Sequence, residues 1–244
     1  MIMDFFRELA EESFTALNVK GEKLKTSKYC TLSKYSFNGS SSKRLAGDYY
    51  TLSYKKTDFG NNALSEDISD LIAKTLSKIV DKKARPLVVG LGNSFVTSDA
   101  LGSETVNALY EKNRDNKLML FKPSVYALTK IESADIINGI ANVSRPDVII
   151  AVDTLCCLDT DKLYSTIQIT DAGIIPGSGL VNPRTPVTKA TLGVPVISIG
   201  MPLISYSANN LNPDSCVTPK EIDIIVKIAS RIIANGIFKS INKE

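Results

Sequence analysis

The chain has no histidine among its 244 residues. That absence removes serine and cysteine triads built on imidazole, two-histidine zinc sites and every histidine general base. No apolar run approaches the roughly 18 residues needed to span a bilayer, so no membrane is expected as a partner. The first residues, Met1-Ile2-Met3-Asp4-Phe5-Phe6-Arg7-Glu8, carry an early acid and no basic stretch ahead of an apolar core. They do not read as a secretory signal. Cysteine is scarce: Cys30, Cys156, Cys157 and Cys216 include no C-x-x-C pair, and the adjacent two cannot readily bridge each other. A reduced, intracellular setting is the expectation. Net charge is also small, with 29 Lys and Arg against 26 Asp and Glu. So slight and scattered an excess does not suggest nucleic acid as a partner. What remains for catalysis is carboxylates, lysine, hydroxyls, thiols and backbone amides.

At 43% hydrophobic and 23% charged, the composition is globular and can fill a sizeable core. Residues 3–17 carry Phe6, Leu9, Phe14 and Leu17 at roughly helical spacing. Residues 20–47, polar around Gly39-Ser40-Ser41-Ser42-Lys43, suggest a loop or edge insertion, and 49–54 read as a strand. A helix is predicted from Ser65, with Ile68, Leu71, Ile72, Leu76 and Ile79 on one face. From there the alternation is regular. Short apolar runs at 86–91, 118–121, 147–152 and 194–199, with an alternating one at 166–169, predict strands; helices are predicted near 99–112 and 132–143. Thr218-Pro219-Lys220-Glu221 has the form of a capping box with proline at the first helical position. It would open a helix burying Ile222, Ile225, Ile228, Ala229 and Ile232 and ending near Asn235-Gly236. Strands alternating with helices predict an open α/β sheet covered on both faces. The expected organisation is one domain over 1–244, its first 60 residues an appendage.

Ligands of such sheets lie outside the carboxyl ends of the strands. Two acids fall there: Asp153, directly after strand 147–152, and Asp99, at the end of the loop that follows strand 86–91. Each also has a plainer reading, Asp99 as an acid favoured at a helix N-terminus and Asp153 as a solvated loop acid. Gly90-Leu91-Gly92 is not a dinucleotide fingerprint, because the third glycine of G-x-G-x-x-G would fall on Phe95. In Asp171-Ala172-Gly173-Ile174-Ile175-Pro176-Gly177-Ser178-Gly179, three glycines and a proline make either an amide-rich wall for a substrate backbone or a surface turn. Ser178 is a weak nucleophile with no histidine to activate it, and Cys156 and Cys157 read more as core residues than as reactive thiols.

Together these segments resemble the germination protease family, endopeptidases of spore-forming bacteria that degrade small acid-soluble spore proteins. Gly90-Leu91-Gly92-Asn93 with Thr97-Ser98-Asp99-Ala100-Leu101-Gly102 resembles its G-L-G-N…T-P-D-A-L-G. Arg145-Pro146-Asp147 through Ala151-Val152-Asp153-Thr154-Leu155 resembles K-P-D…A-I-D-A-L, and Thr166-Ile167-Gln168-Ile169 through Pro176-Gly177-Ser178-Gly179 resembles T-I-Q-I-x-D-T-G-I-x-P-G-S-G. Segments 191–202 and 217–223 resemble the family's C-terminal part, so the likeness covers about 85–236. Before it only Arg7-Glu8-Leu9-Ala10-Glu11 and Asp48-Tyr49-Tyr50-Thr51-Leu52 match loosely.

The resemblance implies a three-layer α/β/α sandwich with a mostly parallel sheet, like that of hydrogenase maturation proteases. It also implies an atypical aspartic-type endopeptidase without metal or cofactor, made as a zymogen, homotetrameric, and working in the cytoplasm of the spore core. The family's two essential aspartates fall on Asp99 and Asp153. Two close carboxylates would share one proton, the ionised one activating water and the other protonating the scissile group. Backbone amides of the 90–93 and 177–179 loops could hold the oxyanion or the substrate backbone, which makes Gly92, Asn93, Gly177, Ser178 and Gly179 the substrate-binding candidates. The family's preference for an acidic residue near the cut bond adds Arg184 as a basic partner. There are departures. The family's T-R-H element has no histidine here, its P-G-V-M-G-x-T-G-I-E-T segment is reduced to residues 122–133, and its arginine after A-I-D-A-L is replaced by Cys156-Cys157-Leu158-Asp159. These motivate an alternative, a non-catalytic paralogue that binds spore proteins or regulates the active protease. A maturation peptidase for a metal-loaded substrate is a weaker alternative, argued against by the missing imidazole.

Overall fold

The computed structural model describes residues 8–16, 21–38, 45–114, 117–180, 182–206 and 216–242. The expected polar stretch Gly39–Lys43 and residues 3–7 and 17 of the expected first helix lie outside them. Among the described residues, no helix is long and apolar enough to cross a membrane.

Among the described residues the first element is α1 (Ala10–Ala16), followed by three strands that form an antiparallel meander: β1 (Glu22–Thr26), β2 (Cys30–Phe37) and β3 (Gly47–Tyr54). Residues 20–47 are thus not simply a loop. Their alternation is weak because β1 is an exposed edge whose lysines stay in water. Then come α2 (Asn62–Ile79), β4 (Pro86–Gly90), α3 (Leu101–Lys112), β5 (Met119–Phe121), α4 (Tyr126–Thr129), α5 (Ser133–Ser144) and β6 (Val148–Cys157). The remainder is β7 (Thr166–Thr170), α6 (Lys189–Leu192), β8 (Val196–Tyr206), β9 (Cys216–Val217) and α7 (Ile222–Ile241).

One sheet takes the order β1-β2-β3-β7-β8-β6-β4-β5, with β9 paired to β8. It is mixed. The run β8-β6-β4-β5 is parallel, as expected, whereas β7 is antiparallel to both β3 and β8 and joins the N-terminal meander to the rest. A three-layer α/β/α arrangement follows, because both faces of the sheet are apolar. One face packs Val88, Val152, Ile167, Ile199 and Leu203 against α2, α3 and α7; the other packs Val89, Ala151 and Leu155 against Leu9 and α5. β7 shows why alternation was legible: Ile167 and Ile169 enter the first core while Thr166, Gln168 and Thr170 face the other side.

Two boundaries differ from expectation. β6 does not stop before Asp153 but carries it as an interior residue, since pairing with β8 continues to Cys157. The last helix starts at Ile222 rather than in the Thr218 box, and Glu221 precedes it without a side-chain cap bond. It also runs past Gly236 to Ile241. That glycine is not a stop signal: an added Cβ would meet the Ile72 Cβ at 2.6 Å, so it is the point where α7 lies against α2. Ile225, Ala229 and Ile232 are buried as expected, and Ile222 and Ile228 only partly.

Candidate active site

The chain leaves β4 for β5 on one side and returns to β6 on the other, so the crevice between β4 and β6 is the topological switch point. Open α/β sheets present their strand ends to ligands at such a point. Both nominated acids stand there. Asp153 lies one residue beyond the last β4–β6 pairing, Gly90 with Val152, and Asp99 rides the loop that leaves β4.

That loop is built around the acid. Leu91 N–H still bonds the Val152 carbonyl at 2.8 Å. Gly92 then takes a φ of +91°, where an added Cβ would collide with the Asp99 carbonyl, so both backbone and space require glycine. Asn93 Oδ1 accepts from Phe95 N–H at 3.0 Å, and Asn93 N–H donates to Asp99 Oδ2 at 2.7 Å. A 3₁₀ turn over Thr97–Asp99 leads into α3.

Asp153 is only 7% exposed, and its Oδ1 accepts from the next backbone amide, Thr154 N–H, at 2.9 Å. Burial pushes its carboxyl well above the usual carboxylate range, and the nearby charges of Asp99 and Glu8 push the same way. Asp99 is raised to about 6, chiefly by burial; the Asn93 bond opposes that and the Glu8 charge adds to it. Among the described residues no hydrogen bond joins the two carboxyl groups directly, so they act on each other through space.

A third carboxylate, Glu8, also lies at the crevice, and sequence reasoning does not nominate it. β4 ends opposite Val152, so β6 runs on with that edge unpaired. The alternate N–H groups along this overhang are all taken by acids: Thr154 by Asp153, Cys156 by Glu8 Oε2 at 2.7 Å, and Leu158 by Glu12 at 3.1 Å. The other Glu8 oxygen accepts from Gly179 N–H at 2.8 Å and from Ser178 Oγ at 2.5 Å. Gly179 permits this approach, because an added Cβ would meet Glu8 Oε2 at 2.5 Å and Cys156 Cβ at 2.6 Å. Gln168 brackets the same segment, its Oε1 accepting from Ala10 N–H at 2.6 Å and its Nε2 donating to the Glu8 carbonyl at 3.3 Å. Leu9, between them, is buried in the core. No periodicity links residues 148 or 171 positions apart. The loosely matching block Arg7-Glu8-Leu9-Ala10-Glu11 held the only hint of Glu8, and Gln168 stood only within a strand motif.

The remaining candidates are arranged as follows. Asn93 N–H, Gly179 N–H and the Ser178 hydroxyl, nominated to hold a substrate, are engaged by the chain's own carboxylates. Gly177 shapes its loop with a φ of +72° and accepts from Asn182 N–H at 3.1 Å. Arg184 is not brought to the aspartates: its guanidinium stacks on Tyr126, 4.2 Å from the ring centroid, and pairs with Glu132 at 3.6 Å. Burial pushes the Cys157 thiol up to about 12 and the Cys156 thiol well up, so neither is a ready thiolate. Among the described residues, no three acidic or cysteine side chains are arranged to hold a metal ion.

A family model described as germination protease matches residues 6–214. The germination protease of Geobacillus sp. (strain WCH70) is 35% identical over 207 residues, covering 78% of this chain and 54% of that protein. That of Clostridium acetobutylicum is 32% identical over 256 aligned residues, covering 80% and 78%. The chain therefore spans about half the length of several curated relatives it matches. Among solved structures, the [NiFe] hydrogenase maturation protease HycI of Thermococcus kodakarensis KOD1 overlaps 69% of this chain and 99% of its own, with TM-score 0.49 and 18% identity.

Proposed function

This chain belongs to the germination protease family, and on that premise we propose that Asp99 and Asp153 together activate water to hydrolyse a peptide bond. The observation that carries the reading is the pair itself. Two acids at the switch point are both raised above the usual carboxylate range by burial, Asp99 to about 6. Two isolated solvated carboxylates would both be ionised at pH 7 and could only act as bases. In this reading the raised pair shares one proton, and one member takes a proton from water while the other supplies one to the scissile carbonyl or the leaving amine. The pair titrates as a unit, and acid and base are not assigned to individual residues.

The substrate class in this reading is small acid-soluble spore proteins, cut by an aspartic-type endopeptidase in the spore core during germination and acting as a homo-oligomer. Gly92 and Gly177 shape the two loops that flank the pair. The Asn93 donor holds Asp99, and the Ser178 and Gly179 donors hold Glu8, beside the pair.

Incubating the purified chain with a small acid-soluble spore protein, followed by mass spectrometry, tests the proposal. Discrete fragments are expected. Asp99→Asn and Asp153→Asn should each lower the cleavage rate by about 10²-fold or more while leaving the circular dichroism spectrum unchanged. Full activity in either variant removes that aspartate from the mechanism. Stable co-elution without cleavage would instead favour a non-catalytic spore-protein binder, the reading suggested by donors already filled from within the chain.

A further inference from the structure

Positive charges that are scattered along the sequence are gathered by the fold at one end. β5, β4 and β6 lie side by side, so the segments that enter them come together at the amino ends of these strands. They bring Lys82, Lys83 and Arg85 before β4, Arg114 and Lys117 before β5, and Arg145 before β6, all exposed. Against these six stand Asp81 and Asp147, together with Asp115, which lies outside the described residues. Six cations to three acids is the same surplus as that of the whole chain, 29 to 26. The segments also touch. Arg85 N–H donates to Asp147 Oδ2 at 2.7 Å, and its guanidinium donates to the Arg145 carbonyl at 2.6 Å. Asp81, Lys82 and Ala84 line a cleft with Ser240 and Ile241 at the end of α7, where Lys117 Nζ donates to Asn242 Oδ1 at 2.8 Å. Among the described residues, Arg85 with Asp147 is the only ion pair that these cations make.

Helix dipoles account for part of this arrangement, since each of these segments follows the carboxyl end of a helix. One cation per helix would answer the dipole, and three precede β4 alone. The segments contain no aromatic residue, and none of the exposed large hydrophobic side chains lies in them. A protein partner would find no apolar core there, and unpaired bases would find no ring to stack on. A duplex backbone needs neither. It carries a negative charge about every 1.7 Å of its axis and takes Lys and Arg at its phosphates. We propose that this end of the molecule docks the phosphate backbone of double-stranded nucleic acid, without reading base sequence. The cations lie opposite the aspartates, about 16 Å away along the five residues of β4, so a docked duplex leaves the crevice open. Such docking needs neither aspartate and holds alike for a cleaving and a non-catalytic chain.

The test is fluorescence anisotropy of a labelled short duplex of mixed sequence, titrated with the full chain. Binding in the micromolar range is expected at about 50 mM salt, weakening about 10²-fold at about 200 mM as the counterions of about four phosphates are released. Lys82→Glu/Lys83→Glu/Arg114→Glu should weaken it by roughly ten-fold or more at the lower salt. Lys82→Gln/Lys83→Gln/Arg114→Gln should reduce the salt slope by about three, and it guards against a charge-reversed chain that fails to fold. The control is Lys23→Glu/Lys25→Glu/Lys28→Glu, the same change of charge at exposed positions on and just past β1. β1 stands five strand positions from β6, beyond a Debye length, so this variant should keep its affinity within about three-fold. No binding at the lower salt overturns the proposal. So does equal weakening in the β1 variant, which would reduce the effect to net charge. A single strand or polyglutamate held as tightly as the duplex overturns the assignment of a duplex.

Discussion

At the scale of single residues, the site keeps its acids in a state that the fold does not favour. Asp99 has an ordinary value of 3.8 and is raised to about 6 in the folded chain, mainly by burial. The folded state therefore binds this proton more tightly than the unfolded chain does. Stability is greatest below 3.8, falls as pH rises to about 6, and stays lowered above that. Asp99→Asn cannot ionise, and its amide oxygen can still accept from Asn93 N–H. It should match the unaltered chain below pH 3.8 and be more stable above about 6, as read from urea midpoints across that range. A midpoint difference independent of pH would show that Asp99 carries no strained ionisation. Asp99 and Asp153 could be nominated from the sequence because each stands in a short family-like block beside an apolar run, although Asp153 lies inside β6 and Asp99 at the far end of the loop after β4. Glu8 was not legible, because nothing local distinguishes it from Glu11 and Glu12 on the same segment.

The elements show what each local pattern could and could not carry. β7 was read correctly since Ile167 and Ile169 enter one core while Gln168 and its polar neighbours face away. β6 and β8 were read too short because both faces of each are buried and their sequences carry no period to mark an end. Pro202 within β8 looks like a breaker, yet the ladder accommodates it by shifting register between Leu155 and Cys156. The same ambiguity held for Gly236, which reads as a helix stop and serves as a helix–helix contact. Gly236→Val should push α7 from Ile72, costing about 1–3 kcal/mol and lowering the thermal midpoint while leaving helix content intact. An unchanged midpoint would mean that the two helices separate freely there.

For the whole molecule, cohesion should fall outward from the parallel centre. β4, β6 and β8 are buried along their full length, whereas β1 is exposed at four of its five residues. Hydrogen exchange should be slowest in those three strands and fastest in β1, and uniform protection across the sheet would contradict this layering. The sequence by itself determined the α/β alternation and the family and nominated the two aspartates, because each rests on short patterns: apolar runs, a helix face, residues in a fixed block. Only the tertiary structure decided that β7 reverses direction to recruit the N-terminal strands, that Arg184 is committed to Tyr126 and Glu132, and that Glu8 lies against the overhanging edge of β6. Those outcomes follow from satisfying backbone groups and charges across more than a hundred residues, and no local pattern encodes which distant donor an acid will meet.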